Sequence, residues 1–270
     1  MSDSISSQKF LRPRKSLGQN FLQDPNIIRK IVASLNIKDS DVVVEIGPGR
    51  GALTELILPL CKQLHLIEFD RDLSQHWREQ AKAQSKLVVH ECDILKFDLE
   101  KTFSQGQKIK VIGNLPYNIS SPVLFYLMRY TDRIDTQVLM LQKEVVQRMA
   151  SPPGNKQFGR LSVMLQYHYQ IENMFSVPPK AFVPPPKVDS AVARLTPLSH
   201  IDNPVQNPTD FAMIVKAAFA QRRKTLRNTL KKLLNTEQIE SVGIEPGARA
   251  ETLSVQDFVK LSNMYNNQNI

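Results

Sequence analysis

The tetrad Asn114-Leu115-Pro116-Tyr117 directly follows an apolar run, Lys110 to Gly113, that reads as a strand. An asparagine amide oxygen and the next backbone carbonyl can both accept hydrogen bonds from a flat amino group. That pairing suits an exocyclic amine such as adenine N6, whose delocalised lone pair must pyramidalise before it attacks an electrophilic methyl. Pro116 stiffens the loop, and Tyr117 offers an aromatic face on which a base can stack. Once an extruded base is held against a methyl donor the work is positioning, so a strong general base is unnecessary. Taken alone, the tetrad is also compatible with a plain turn after a strand.

A second group of residues concerns the donor. The run Val42-Val43-Val44-Glu45-Ile46 leads straight into Gly47-Pro48-Gly49-Arg50-Gly51, followed by a helix that begins near Ala52. Glycines at such a turn let backbone approach a ligand closely. The loop fits a loose GxGxxA template, so by itself it suits a dinucleotide as well as S-adenosylmethionine. Glu68, Asp93 and Asn114 end the next three strands, where open α/β sheets bind ligands. A carboxylate at Glu68 can accept from both ribose hydroxyls, and one at Asp93 from an adenine amine. S-adenosylmethionine carries no phosphate and offers an amine and a sulfonium to acids, so Glu45, Glu68 and Asp93 favour it over a pyrophosphate ligand. A nicotinamide-dependent oxidoreductase, the competing class, lacks a proton-transfer constellation here.

The elements that must position these residues alternate between helical and strand patterns from about residue 26 to 140. Ile27, Ile28, Ile31, Val32 and Leu35 have helical spacing, and Val42 to Ile46 reads as a buried central strand. Leu53 to Leu60 predicts a helix, Leu64 to Ile67 and Leu87 to Val89 predict strands, and Pro122 to Tyr130 and Val145 to Met149 predict helices. Leu161 to Tyr169 mixes aliphatic and aromatic residues as a strand would. Pro178, Pro179 and Pro184 to Pro186 impose a stiff segment before Val188 to Leu195, read as an edge strand. A polar link from Thr196 to Pro208 then precedes a helical region. The expected organisation is an α/β Rossmann-like domain with a mostly parallel sheet over residues 1–200, and a small all-helical domain over 201–270.

With 41% hydrophobic residues and no apolar run approaching the roughly 20 residues of a membrane span, the 270-residue chain reads as a soluble globular protein. The N-terminus is polar and then basic at Lys9, Arg12, Arg14 and Lys15, without a secretion signal, so a cytoplasmic address is expected. Cys61 and Cys92 are the only cysteines and show no metal-ligand spacing; reduced thiols and no metal are expected. A net charge of +9 favours a polyanionic partner, without separating RNA from DNA or an anionic membrane. Arg222, Arg223, Lys224, Arg227, Lys231 and Lys232 lie within an acid-free run, Gln221 to Leu233, that also carries Leu226, Leu230 and Leu233. Read as one amphipathic helix, it presents a basic face suited to phosphates. Lys143, Arg148 and Arg160 are candidates to extend it.

Across nearly its whole length the chain resembles the ribosomal RNA adenine dimethyltransferase family. The resemblance rests on Gly18-Gln19-Asn20-Phe21-Leu22, Glu45-Ile46-Gly47-Pro48-Gly49, Glu68, Asp93 and Asn114-Leu115-Pro116-Tyr117-Asn118-Ile119. It continues through Val177-Pro178-Pro179, Phe182, Pro186-Lys187-Val188-Asp189-Ser190 and Arg222-Arg223-Lys224-Thr225-Leu226-Arg227-Asn228. It implies that Asn20 and Leu22 join Gly47, Gly49, Glu68, Asp93 and Asn114 around S-adenosylmethionine, and that Phe182 is a second wall for the target base. It further implies dimethylation of two neighbouring adenosines near the 3′ end of small-subunit rRNA, in an immature subunit; a monomer is the default expectation, and the composition gives no membrane partner. The basic segment and helical C-terminus favour that branch over the large-subunit enzymes of macrolide resistance. A non-enzymatic RNA-binding assembly factor and a DNA adenine methyltransferase are competing classes, and the intact Glu68, Asp93, Asn114 and Tyr117 argue against the first of them.

Overall fold

A computed structural model describes residues 18–267. The basic N-terminal stretch with Lys9, Arg12, Arg14 and Lys15 lies outside the described residues. The elements in chain order are β1 (Phe21–Leu22), α1 (Pro25–Ser34), β2 (Val42–Ile46), α2 (Thr54–Ile57), β3 (Gln63–Glu68), α3 (Arg71–Ala81) and β4 (Leu87–Glu91). There follow α4 (Leu99–Thr102), β5 (Ile109–Asn114), α5 (Ser120–Leu127), β6 (Ile134–Gln142), α6 (Lys143–Met149), α7 (Arg160–Gln166), β7 (Tyr169–Val177), β8 (Phe182–Val183) and β9 (Ser190–Pro197). The chain ends with α8 (Pro208–Ala218), α9 (Leu226–Thr229), α10 (Thr236–Ser241) and α11 (Val255–Asn266).

Seven strands form one sheet in the order β4-β3-β2-β5-β6-β9-β7. Strand β2 pairs in parallel with β3 and β5, β3 with β4, and β5 with β6, whereas β9 runs antiparallel to β6. Every residue of β2 is buried, as expected of a parallel strand covered on both faces, and so its sequence is a continuous apolar run interrupted only by Glu45. Helices start where short polar side chains cap them: Asp24 accepts from the amides of Asn26 and Ile27 at α1, and Asp70 from Asp72 and Leu73 at α3.

Contacts divide the chain into two compact units. One runs to Val146 and resumes over Glu172–Pro197; the other takes Gln147–Ile171 and the chain from Leu198 onward. The first has a core of Ile31, Leu35, Val43, Ile57, Leu66, Ile112, Val138 and Val192. In the second, Phe219 packs against Phe158 and Phe258, with ring centroids 6.2 and 5.5 Å apart, and Tyr167 against Phe211 at 4.9 Å.

The structure departs from the sequence pattern at three places. Leu161 to Tyr169 is mostly helix α7, because Leu161, Val163, Met164 and Leu165 are all buried and a helix buried all round carries no periodic signature. Strand β9 is not at the edge: it lies between β6 and β7, its residues Ala191, Val192, Ala193 and Leu195 are fully buried, and the prolines that suggested an edge precede it. The run Gln221 to Leu233 is not one helix; only Leu226–Thr229 is helical. There the amides of Leu226 and Arg227 donate to the carbonyls of Ala248 and Pro246, so this backbone is tied to a distant segment and Arg222 to Lys224 form a turn. The apolar face persists, since Leu226, Leu230 and Leu234 are buried.

Gly113 sets the closest approach between β5 and β2. A methyl group there would lie 2.8 Å from the carbonyl oxygen of Ile46, a backbone atom that cannot move without opening the sheet. Gly113→Ala is expected to destabilise the protein by about 1–3 kcal/mol, read as a lower urea midpoint at unchanged slope.

Candidate active site

A cavity of about 620 Å³ opens where β2, β3, β4 and β5 end, within the first unit. The glycine loop forms its floor. Gly47 and Gly49 have positive φ of 66° and 55°, the conformation that lets the chain turn sharply after Ile46. The Gly47 amide donates to the Ile67 carbonyl at 2.9 Å, and the Trp77 indole N–H to the Gly49 carbonyl at 2.9 Å, so both ends of the turn are held by neighbouring elements.

The acids sit at successive strand ends. Glu68 is 5% exposed; its Oε1 accepts from the Asp70 amide at 2.8 Å and its Oε2 from the Gly49 amide at 3.2 Å. Burial nevertheless dominates and raises its pKa above the ordinary glutamate value. Asp93 caps the turn Ile94–Lys96 through the Leu95 amide, with its other carboxylate oxygen outside that bond. Glu45 is deeper still, 1% exposed, and accepts from the Thr54 hydroxyl at 2.7 Å. Desolvation pushes its pKa up to about 8, so the carboxyl is largely protonated at neutral pH.

Asn114 closes β5. Its Nδ2 donates to the Asn20 carbonyl at 3.0 Å, which turns Oδ1 the other way. The following loop is pinned: the Leu115 amide donates to the Met140 carbonyl at 3.1 Å, and the Ser120 hydroxyl to the Pro116 carbonyl at 3.1 Å. Across the cavity, β1 and β8 pair antiparallel with Leu22 opposite Phe182, which brings the two chain segments together. Asn20, Leu22, Gly47, Gly49, Glu68, Asp93, Asn114, Leu115, Pro116, Tyr117 and Phe182 therefore all line one cavity.

The basic residues stand elsewhere. Arg222, Arg223, Lys224, Arg227, Lys231 and Lys232 belong to the second unit and are all exposed, with Arg222 3.4 Å from Glu251. Lys143 is paired with Asp189 at 3.6 Å. Several lining residues had no role assigned from sequence, although Phe21 and Arg50 stand within the motifs Gly18 to Leu22 and Gly47 to Gly51. Phe69, 63% exposed and next to Glu68, lines the cavity, and so do Phe21 and Arg50, whose guanidinium stacks over the Phe21 ring at 4.5 Å.

The donor set decides between the two ligand classes the glycine loop left open. Glu55, Glu68, Asp70 and Asp93 line the cavity, with the protonated Glu45 beneath them, against a single basic residue among the described ones, Arg50. A pyrophosphate would meet that field unfavourably, while a cationic ligand with ribose and amine donors fits it. Glu45 has a testable signature. Its folded pKa of about 8 exceeds the ordinary 4.5, so the unliganded protein loses stability as pH rises from about 4.5 through 8. Glu45→Gln lacks that ionisation, and its urea midpoint relative to wild type is expected to rise between pH 5 and pH 8; a constant difference would show that Glu45 does not titrate there.

A family model described as ribosomal RNA adenine dimethylase matches residues 10–267. The ribosomal RNA small subunit methyltransferase A of Laribacter hongkongensis is 48% identical over 253 residues, covering 94% of this chain and 96% of the relative. Among solved structures, a dimethyladenosine transferase from Plasmodium falciparum aligns with a TM-score of 0.80 at 27% identity, over 93% of this chain and 98% of that one. The 23S rRNA methyltransferase ErmE shares the fold, with a TM-score of 0.70 at 22% identity over 92% of this chain and 100% of its own. The resemblance carried by the motifs and the whole-chain matches agree. The chain is an rRNA methyltransferase and belongs to the ribosomal RNA adenine dimethylase family.

Proposed function

We propose that this protein uses S-adenosylmethionine to convert two adjacent adenosines near the 3′ end of small-subunit rRNA to N6,N6-dimethyladenosine, acting as a monomer in the cytoplasm on an immature subunit. The names of the small-subunit relatives support the choice of RNA. The observation that carries the chemistry is the orientation of Asn114, whose amide nitrogen is committed to the Asn20 carbonyl while its oxygen is left to accept.

S-adenosylmethionine, when bound, supplies an electrophilic methyl on its sulfonium. Glu68 would hold the ribose hydroxyls, Asp93 the adenine amine, and the glycine loop with Asn20 and Leu22 the methionine portion. Asn114 Oδ1 and the Leu115 carbonyl would accept the two hydrogens of the target amine, drawing its lone pair out of the ring plane. Tyr117 and Phe182 would flank the base and exclude water, and Pro116 fixes the distance between acceptors and ring. After a first transfer one hydrogen remains on N6, and one acceptor still suffices to orient it for the second. The amine proton leaves to solvent, and no strong base is required.

We assign residues 1–200 to methyl transfer, apart from the segment 147–171 that packs within the second unit, and the helical region 201–270 to RNA. No helix among the described residues is long and apolar enough to cross a membrane. Arg222, Arg223, Lys224 and Arg227 form the proposed phosphate contact, with Lys143, Arg148 and Arg160 as lesser contributors.

Three measurements test this reading. Labelled S-adenosylmethionine incubated with undermodified small subunits is expected to yield dimethyladenosine at adjacent positions; label confined to large-subunit RNA or DNA would redirect the assignment. Asn114→Ala is expected to lower kcat at least about 100-fold with the fold retained. Arg223→Ala combined with Lys224→Ala is expected to weaken RNA binding and flatten its salt dependence, leaving S-adenosylhomocysteine affinity at the wild-type value.

A further inference from the structure

Stacking on a base needs only an aromatic face, which phenylalanine would supply as well as tyrosine. The Tyr117 hydroxyl is nonetheless engaged: its Oη lies 2.7 Å from Ser190 Oγ. Ser190 is fully buried, opens β9, and is paired across the sheet with Gln142 of β6. The backbone just before it is fixed as well, because the Lys143 amide donates to the Asp189 carbonyl at 3.0 Å and Lys143 Nζ lies 3.6 Å from the Asp189 carboxylate. Because β9 runs antiparallel to β6, its first residue arrives at the same sheet edge as the last residue of β5. A hydroxyl anchored there therefore holds the far end of a ring whose near end is held by the Asn114–Pro116 loop.

We infer that Ser190 is a positioning residue for methyl transfer, setting the tilt of the Tyr117 ring against which the target adenine rests. This rests on Tyr117 being the wall of the base site, as proposed above. Held at both ends, the ring offers one preorganised face to an extruded base; released at its hydroxyl, it swings about χ1 and the amine spends less time in line with the methyl. Burial holds the Tyr117 phenol above its ordinary pKa, consistent with a neutral hydroxyl sharing a hydrogen bond with Ser190.

The test is a double-mutant cycle with Ser190→Ala, Tyr117→Phe and the double variant, assayed by single-turnover methyl transfer to undermodified small subunits. Each single variant is expected to lose about tenfold in the transfer rate, and the double variant no more than either, because both remove the same contact. Affinity for S-adenosylhomocysteine, measured by calorimetry, and the thermal midpoint are expected to stay at wild-type values. Ser190→Thr, which keeps the hydroxyl, is expected to restore the rate to within about twofold. Additive losses, a fall in S-adenosylhomocysteine affinity matching the fall in rate, or unchanged rates would overturn the role of Ser190 alone. Absence of transfer by the wild-type protein would overturn the proposed function and this inference together.

Discussion

Parallel pairing of β2 with β3 and β5 is the constraint on which the rest depends. Parallel strands all end at one edge, so a chain that adopts this pairing delivers the residues after each strand to a single line in space. The line here runs Asp93, Glu68, Gly47 and Asn114, in the spatial order of β4, β3, β2 and β5. Gly113 makes it tight, because without a side chain β5 can lie against the Ile46 carbonyl and bring Asn114 within one strand spacing of the glycine loop. Side chains that are far apart in sequence thus become neighbours through backbone geometry alone.

The same edge is chemically uneven. Glu45 and Glu68 are withdrawn from water, and burial raises both pKa values, so the folded protein carries carboxyls in a medium that disfavours their charge. A ligand bearing positive charge and hydrogen-bond donors relieves that cost, and a polyanion aggravates it. Selection between an adenosyl sulfonium and a dinucleotide is then decided by the acids around the loop, since the glycine turn serves either equally. The basic residues proposed to meet RNA do not line this cavity and belong to the second unit.

What the sequence disclosed follows the same division. Asn114, Glu68 and Asp93 were legible because a strand end is a position that sequence pattern marks, and the apolar runs of β2 to β5 are strong. Asn20, Leu22 and Phe182 were not legible from pattern, since their place depends on β1 meeting β8 across most of the unit's length; only family resemblance indicated them. The interior position of β9 was hidden by the prolines before it, and helix α7 by its uniform burial. The run Gln221 to Leu233 has the composition of a helix, but its backbone partners lie at Pro246 and Ala248, which no local window contains. Ser190 stands within a family motif but had no visible role, because its partner Tyr117 lies on another segment and only the reversed direction of β9 joins them.

That reversal has a consequence in time. Residues forming the glycine loop, the acids and the Asn114 loop are all made in the first half of the chain, and parallel pairing lets them organise as they emerge. Phe182, which lines the cavity opposite them, and Ser190, which meets the Tyr117 hydroxyl, are among the last residues added to the first unit. Until those have been synthesised, β1 has no strand to pair with and the Tyr117 ring has no second support. Within the first unit, the side of the cavity that faces the glycine loop is therefore the part whose residues are completed last.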